Sequence, residues 1–95
     1  MMQICQHFLI TGRVQGVSFR YYTRHKAVEL GLTGWVRNLT DGRVEVTACG
    51  DASAMAQFQK WLTQGPTLAR VSDIEAKTLP CQQFARFQIL DTAPQ

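Results

Sequence analysis

A short run near the amino terminus contains the residue types that bind small oxyanions. Residues 12–20 have the sequence GRVQGVSFR, and a predicted strand precedes them while a predicted helix follows. The first backbone N–H groups of a helix have no partner within the helix, and together with the helix dipole they attract phosphate or carboxylate. Glycine lets a backbone curl so that several N–H groups converge on one anion. Arg20, in the first helical turn, can add a planar fork of charged donors.

These residues alone leave a plainer interpretation open. Glycines are common in strand-to-helix turns, and an arginine there is usually a solvated charge. Asn38 stands near a strand end and before a turn, where asparagine is common for its local hydrogen bonding. His7 and His25 each lack a serine, cysteine or carboxylate at a readable spacing, so we assign them structural or surface roles. Tyr21, Tyr22 and Trp35 are expected to pack or to form pocket walls.

Five strands and two helices must position this loop. Alternating or short apolar runs predict strands, which fall at residues 5–11, 34–39, 43–49, 71–77 and 84–90. Apolar stripes at helical spacing predict two helices. They run from the N-cap Ser18 to about residue 30, with Gly31 just beyond, and from about residue 53 to 64, before Gly65-Pro66. Asp41-Gly42 predicts a two-residue hairpin turn between the second and third strands.

The order of these elements, β-α-β-β-α-β plus a terminal strand, contains two split βαβ units. Such units predict an antiparallel sheet with both helices on one face. Right-handed crossovers place the first and third strands in the middle, running in opposite directions. We expect one domain over residues 1–95, with residues 91–95 fraying.

Composition excludes several classes of protein. Hydrophobic residues make up 45% of the 95 residues and charged residues 18%, which suits a globular core rather than a disordered chain or a collagen-like repeat. No run approaches the ~20 apolar residues of a membrane span, and the start lacks a basic leader, so we expect a cytoplasmic protein without a membrane partner. The net charge of +3 favours an anionic partner.

The three cysteines, Cys5, Cys49 and Cys81, include no C-x-x-C pair, which argues against a zinc site or a redox motif. If the first and third strands are antiparallel neighbours, Cys5 and Cys49 share the sheet face away from the helices. They could then come within disulfide distance. For a cytosolic chain we favour reduced thiols.

Two motifs resemble those of the acylphosphatase family. The run GRVQGVSFR at 12–20 resembles the first, and GWVRN at 34–38, which starts fourteen residues after Arg20, resembles the second. The LGL at 30–32, and the hairpin followed by RVEV at 43–46, also fit the pattern. The resemblance therefore spans nearly the whole chain, and it implies a ferredoxin-like α+β fold, a two-layer sandwich.

The resemblance also implies an activity, the hydrolysis of acyl phosphates to a carboxylate and inorganic phosphate. By position, Arg20 would hold the phosphoryl oxygens and Asn38 would orient the attacking water. The phosphate-binding backbone N–H groups would be those of Gln15, Gly16, Val17, Ser18 and Phe19. Fixed N–H dipoles and one guanidinium can stabilise the phosphoryl charge without a metal, and because a carboxylate leaves readily, no strong acid is needed. The resemblance therefore implies no metal, no cofactor and no covalent intermediate. Phosphate or sulfate should occupy the same loop, and a monomer is expected.

Two other functions fit the same element order. The first is an RNA-binding module, which would stack bases on aromatic residues of the central strands. The third strand has no aromatic residue, however, and Phe8 of the first strand is predicted to face the helices, so no nucleic-acid partner is expected. The second is a small-ligand regulatory domain, which would leave the loop at 12–20 without a chemical role.

Overall fold

Two helices pack against a five-stranded sheet in the computed structural model, which describes residues 2–94. In chain order the elements are β1 (Gln3–Arg13), α1 (Phe19–Glu29), β2 (Thr33–Asn38), β3 (Val44–Asp51), α2 (Ala52–Leu62), β4 (Arg70–Leu79) and β5 (Phe87–Ile89). Every predicted element is present in the predicted order. The expected α+β sandwich of ferredoxin-like type is confirmed.

The strand order is β4-β1-β3-β2-β5. As predicted, β1 and β3 are antiparallel neighbours inside the sheet. The sheet is antiparallel, as predicted, except at one edge, where the terminal strand β5 pairs with β2 in the parallel sense. The chain leaves β4 at one edge and crosses to the opposite edge through residues 80–86, which brings β5 alongside β2. The sheet is therefore mixed.

The edge strands depart most from the predicted boundaries. β5 has three residues rather than the predicted seven at 84–90, because only Phe87–Ile89 pair with β2. β1 is longer than predicted, and its pairing with β4 shifts register between Thr11 and Gly12. Gly12 has φ 137°, and a Cβ at this position would lie 2.1 Å from the carbonyl oxygen of Arg70. Only glycine allows this close approach of the two backbones.

The turn between β2 and β3 is one residue longer than predicted. The backbone N–H of Leu39 donates to the Arg43 carbonyl at 2.8 Å, so three residues, 40–42, lie between the paired positions. The Asp41 carboxylate accepts from the backbone N–H of Arg43 at 3.0 Å and from its Nε at 2.8 Å. This side-chain bonding to the turn favours the longer loop over the two-residue turn.

The C-terminal segment is attached where fraying was expected. Ala93 forms a parallel bridge with Leu39, donates to the Asn38 carbonyl at 3.0 Å and accepts from the Thr40 N–H at 3.1 Å. Backbone groups of the β2–β3 turn thus hold residues 91–94 against the sheet. Gln95, also assigned to the fraying tail, lies outside the described residues.

The core lies between the helices and one face of the sheet. Alternate residues of β1 and β3, including Phe8 and Val46, point toward the helices and are fully buried. The Phe58 ring of α2 makes edge-on contacts with Phe8 at 6.0 Å and with Phe87 at 6.3 Å between ring centroids. Phe8 is thus buried on the helix side of the sheet, as the sequence predicted.

The opposite sheet face carries a disulfide and an ionic cluster. Cys5 and Cys49 lie directly opposite each other in the β1–β3 register, as predicted, and their sulfurs are bonded. The preference for reduced thiols is therefore corrected, because the register places the sulfurs within bonding distance. Nearby, the Glu45 carboxylate bonds His7 Nε2 at 2.6 Å and Arg37 Nε at 2.7 Å. Neither α1 nor α2, with eleven residues each, is long enough to cross a bilayer.

Candidate active site

The loop between β1 and α1 is anchored at two points and exposed between them. Val14 and Val17 are buried in the core, whereas Gly16 is exposed. Gly16 has φ 75°, a left-handed conformation that glycine adopts without steric cost. Within residues 2–94, no backbone hydrogen bond of a turn or loop uses an N–H donor from residues 15–19. The backbone N–H groups of residues 15–19 are therefore free to donate to a ligand.

Ser18 stands at the N-cap of α1, as predicted, but it does not cap the helix with its side chain. Its backbone is left-handed, with φ 59° and ψ 28°, and its hydroxyl accepts no hydrogen bond from the first turn. The first turn of α1 also contains no acidic residue. The positive end of the helix dipole is thus neutralised neither by a cap nor by a nearby carboxylate in α1.

Arg20, in the first turn of α1, is half-buried beside this loop. Among the described residues, no carboxylate lies within ion-pair distance of its guanidinium. Arg24, one turn further along, is used differently, because its Nε donates to the Phe87 carbonyl at 3.0 Å and joins α1 to β5. The Arg20 guanidinium thus remains available to bind an anion.

Asn38, the only asparagine in the sequence, ends β2. Its main chain is held on both sides, because it pairs with Val44 of β3 and accepts from the Ala93 N–H. Its side-chain oxygen Oδ1 is buried, and no donor within residues 2–94 bonds it. Buried carbonyl oxygens normally have a partner, so this acceptor calls for a donor such as water.

Gln15 joins the loop to the turn that follows Asn38. Its Nε2 donates to the Leu39 carbonyl at 2.8 Å and to the Arg43 carbonyl at 2.9 Å. Both acceptors belong to the β2–β3 turn. The sequence predicted only a backbone role for Gln15, and this use of its side chain was not predicted.

These groups surround one cavity of about 390 Å³. Its walls include Gln15, Gly16, Ser18, Phe19, Arg20 and Asn38. The structure therefore brings together six of the seven site residues predicted from the sequence, although they come from two distant segments. The seventh, Val17, lies in the same loop with its side chain buried, and it does not line this cavity.

Three further residues, Val14, Tyr21 and Ile89, complete the cavity wall. Tyr21 was among the residues expected to pack or to line a pocket, and its position beside Arg20 was the available signal. Ile89 gave no such signal, since it reaches the cavity only because β5 pairs in parallel with β2. Tyr22, which was grouped with Tyr21, does not line this cavity.

The two histidines lie apart from this cavity. His7 bonds Glu45 on the open face of the sheet, and His25 is exposed on α1. Burial raises the pKa of Glu45, but hydrogen bonds from His7 and Arg37 outweigh it, so the pKa lies below its usual value of 4.5. Within residues 2–94, no three His, Cys, Asp or Glu side chains form a group that could hold a metal ion.

Comparisons with known proteins agree with this geometry. The sequence model of the acylphosphatase family matches residues 6–89. An acylphosphatase of Pseudomonas paraeruginosa is 52% identical over 87 residues, which cover 92% of this chain and 96% of that protein. One of Vibrio vulnificus is 44% identical over 86 residues, covering 90% and 96% of the two chains.

Solved structures give the same result. An acylphosphatase from Coxiella burnetii superposes with a TM-score of 0.90 at 40% identity, covering 93% of each chain. Another from Bacillus subtilis gives 0.89 at 36% identity and covers 94% of this chain and 99% of that one. With the family model matched over most of the sequence and with relatives similar over nearly their full length, the chain belongs to the acylphosphatase family, enzymes that hydrolyse acyl phosphates.

Proposed function

We propose that the chain hydrolyses acyl phosphates by direct, in-line attack of water on phosphorus. Arg20 and the backbone N–H groups of residues 15–19 hold the phosphoryl group, and Asn38 holds the water. The new P–O bond forms as the bond from phosphorus to the acyl oxygen breaks. The electron pair of that bond leaves with the carboxylate. Neither a metal nor a phosphorylated side chain takes part.

The observation that carries this proposal is the unpartnered Oδ1 of Asn38. Asn38, the residue that carries this buried acceptor, lines the cavity that also contains the loop and Arg20. A water that donates to Oδ1 keeps its lone pairs for attack on an electrophile. The amide Nδ2 adds a donor, so that one side chain can fix both the position and the direction of the water.

Charge on the phosphoryl group is matched by the free donors of the loop. In phosphoryl transfer, the negative charge spreads over three equatorial oxygens. The N–H groups of residues 15–19 and the unpaired Arg20 guanidinium supply fixed positive dipoles and one positive charge. Donors that are already oriented need no rearrangement as the charge redistributes, which is why such sites lower the barrier.

The leaving group explains why the site can work without a strong acid. A carboxylate is stable as an anion at neutral pH, so the departing oxygen needs no proton. The attacking water must still lose a proton. A phosphoryl oxygen of the substrate is the group that we propose accepts it.

The Gln15 side chain links the two parts of the site, the loop at residues 15–19 and the turn that follows Asn38. Its two hydrogen bonds to the β2–β3 turn connect the loop that binds phosphate to the turn next to Asn38. Because reaction rates fall steeply when reacting groups are misplaced, this connection supports the short distance needed between water and phosphorus.

Hydrolysis of benzoyl phosphate by the purified protein tests the proposal. We expect turnover in the presence of EDTA, a loss of at least about 100-fold in kcat for Asn38→Ala, and a similar loss for Arg20→Ala. Arg70→Ala is the matched control, since Arg70 is an exposed arginine of β4 outside the cavity, and it should keep the wild-type rate. Near-native turnover in Asn38→Ala would remove the assigned role of the amide.

Water labelled with ¹⁸O tests the position of attack. Attack at phosphorus places the label in inorganic phosphate, whereas attack at the acyl carbon places it in the carboxylate. Rapid quenching followed by intact-mass measurement examines the proposed absence of an intermediate, because a phosphorylated chain would appear as a heavier species during turnover.

We further propose that the enzyme acts as a cytoplasmic monomer. The structure shows Cys5 and Cys49 bonded, but disulfides are rare in the cytosol of mesophilic cells, so the cytoplasmic proposal requires this pair to be reduced in the cell. Blocking thiols at the moment of lysis and counting the blocked cysteines by mass reports their state in the cell. Protection of Cys5 and Cys49 would contradict the cytoplasmic location, and a concentration-dependent sedimentation coefficient would contradict the monomer.

A further inference from the structure

A second cavity, of about 490 Å³, lies beside the first and meets it at Ser18. Val17, Ser18 and Tyr22 form one wall, and Trp61 at the end of α2 and residues 65–68 form the other. Its volume falls in the range of roughly 300–1,000 Å³ that is usual for small-molecule sites.

Five of the eight residues that line this second cavity have apolar or aromatic side chains, and none of the eight is charged. Leu68 is 71% exposed and Tyr22 is 46% exposed, so neither is needed to fill the core. The loop that holds Leu68 is ordered, because the Gly65 N–H donates to the Trp61 carbonyl at 2.8 Å and the Ala69 N–H to the Pro66 carbonyl at 2.9 Å. Exposed apolar side chains held in place around a cavity are suited to contact an apolar ligand.

The geometry of the reaction relates this cavity to the first one. In an in-line displacement, the attacking and leaving oxygens lie on opposite sides of phosphorus. Asn38, which holds the water in the proposed function, lines the first cavity and not the second. Ser18 lines both, and its N–H belongs to the phosphate-binding loop. An acyl group that departs away from Asn38 can therefore pass over Ser18 into the second cavity.

We propose that the second cavity binds the acyl group of the substrate, with Tyr22 and Leu68 as specificity-determining residues. This inference rests on the proposed function, because it takes the phosphoryl group to be held by residues 15–19. It predicts a preference for acyl phosphates with an aromatic or bulky apolar acyl group over acetyl phosphate. Acyl groups with a second carboxylate are disfavoured, because the walls offer no charge to pair with it.

The ratio of kcat/KM for benzoyl phosphate to that for acetyl phosphate tests this assignment. In the double variant Tyr22→Ser, Leu68→Ser, we expect this ratio to fall about tenfold or more, as for the loss of apolar contacts in a specificity pocket. The inhibition constant of inorganic phosphate should not change in this variant, because phosphate has no acyl part. An unchanged inhibition constant also shows that the variant is folded and that the loop is intact.

The comparison variant is Ile89→Ser, which removes an apolar side chain from the first cavity and should leave the ratio unchanged. If the ratio falls in Ile89→Ser and not in the double variant, the acyl group lies in the first cavity and the inference is wrong. If neither variant changes the ratio while both substrates are hydrolysed, the inference fails and the proposed function stands. If the wild-type protein hydrolyses neither substrate, the proposed function itself fails.

Discussion

The N-termini of α1 and α2 are satisfied in different ways, although each helix has eleven residues. At α2, the Asp51 carboxylate accepts from the Ser53 N–H at 3.2 Å and from its hydroxyl at 2.8 Å. At α1, the Ser18 hydroxyl makes no equivalent bond. α2 is therefore capped by its own chain, whereas α1, whose start lines the first cavity, leaves its first N–H groups available to an external anion.

The charged side chains at the starts of the two helices also differ. The hydrogen bond from the Ser53 side chain is the main cause that lowers the pKa of Asp51 below its usual value of 3.8, so a negative charge sits at the start of α2. Near the start of α1 the charged side chain is Arg20, a cation. In the proposed function, the uncapped helix is the one that acts, and the substrate supplies its missing cap.

The largest expected effect comes from giving α1 the cap that α2 has. In Ser18→Asp, a carboxylate at the helix start should occupy the N–H groups and repel the phosphoryl group. We expect kcat/KM for benzoyl phosphate to be at least about 100-fold lower than in Ser18→Asn, which has the same shape without the charge. Equal rates in these two variants, measured side by side, would show that the helix start does not bind the anion.

Inorganic phosphate should stabilise the wild-type protein and fail to stabilise Ser18→Asp. A ligand that binds only the folded state adds about 2.7 kcal/mol at a concentration of 100 times its Kd. Urea unfolding with and without phosphate measures this difference. Equal stabilisation of both proteins would place phosphate somewhere other than the start of α1.

At α2, Asp51→Ala should lower the thermal midpoint by a few degrees at neutral pH without changing kcat, because it removes a cap outside the first cavity.

The sign of the pH dependence of this effect follows from the lowered pKa of Asp51. The unfolded chain takes up the proton more readily, so the stability that Asp51 contributes is present above about pH 3.8 and is lost as the pH falls through the lower folded pKa. Unfolding curves of both proteins between pH 7 and pH 2 should therefore converge at the acid end. A gap that persists at the acid end would mean that the carboxylate charge is not the source of the cap's stability.

The smallest expected effect is that of Ser18→Gly. A left-handed backbone destabilises a non-glycine residue by about 1–2 kcal/mol, and glycine at this position removes that cost. Part of the gain in stability is offset, because glycine has more conformational freedom in the unfolded chain. Since no cap bond is lost, we expect a net gain of roughly 0.5–1 kcal/mol in the free energy of unfolding. A loss measured by urea unfolding would indicate that the Ser18 hydroxyl does cap α1 in solution.

Local patterns predicted much of this structure. The alternation in β3, the stripe in α2 and the glycine after α1 depend on neighbouring residues only, so the elements and their order could be read from the sequence. The two motifs predicted that Arg20 and Asn38 belong together, and the structure places both around one cavity. Ser18 was predicted at the correct position, although not with its left-handed backbone.

The features that escaped prediction depend on long-range contacts. β5 is too short to show alternation, and its parallel pairing depends on where residues 80–86 cross the molecule. The Gln15 side chain meets carbonyl groups 24 and 28 residues away, which no local pattern encodes. The register predicted that Cys5 and Cys49 would be neighbours, but whether the two sulfurs bond, as they do in the structure, depends on more than the sequence pattern.

The bridge between Leu39 and Ala93 has a practical consequence for work with this enzyme. Through the hydrogen bond from the Ala93 N–H to the Asn38 carbonyl, residues 91–94 are fastened to the very residue proposed to hold water. Trimming this segment would remove the Ala93 donor from the Asn38 carbonyl, and a tag fused directly behind it would add chain close to this contact. Tags and surface-attachment chemistry are therefore better placed at the amino-terminal end, and a low activity measured with a C-terminal fusion should first be checked against the untagged chain.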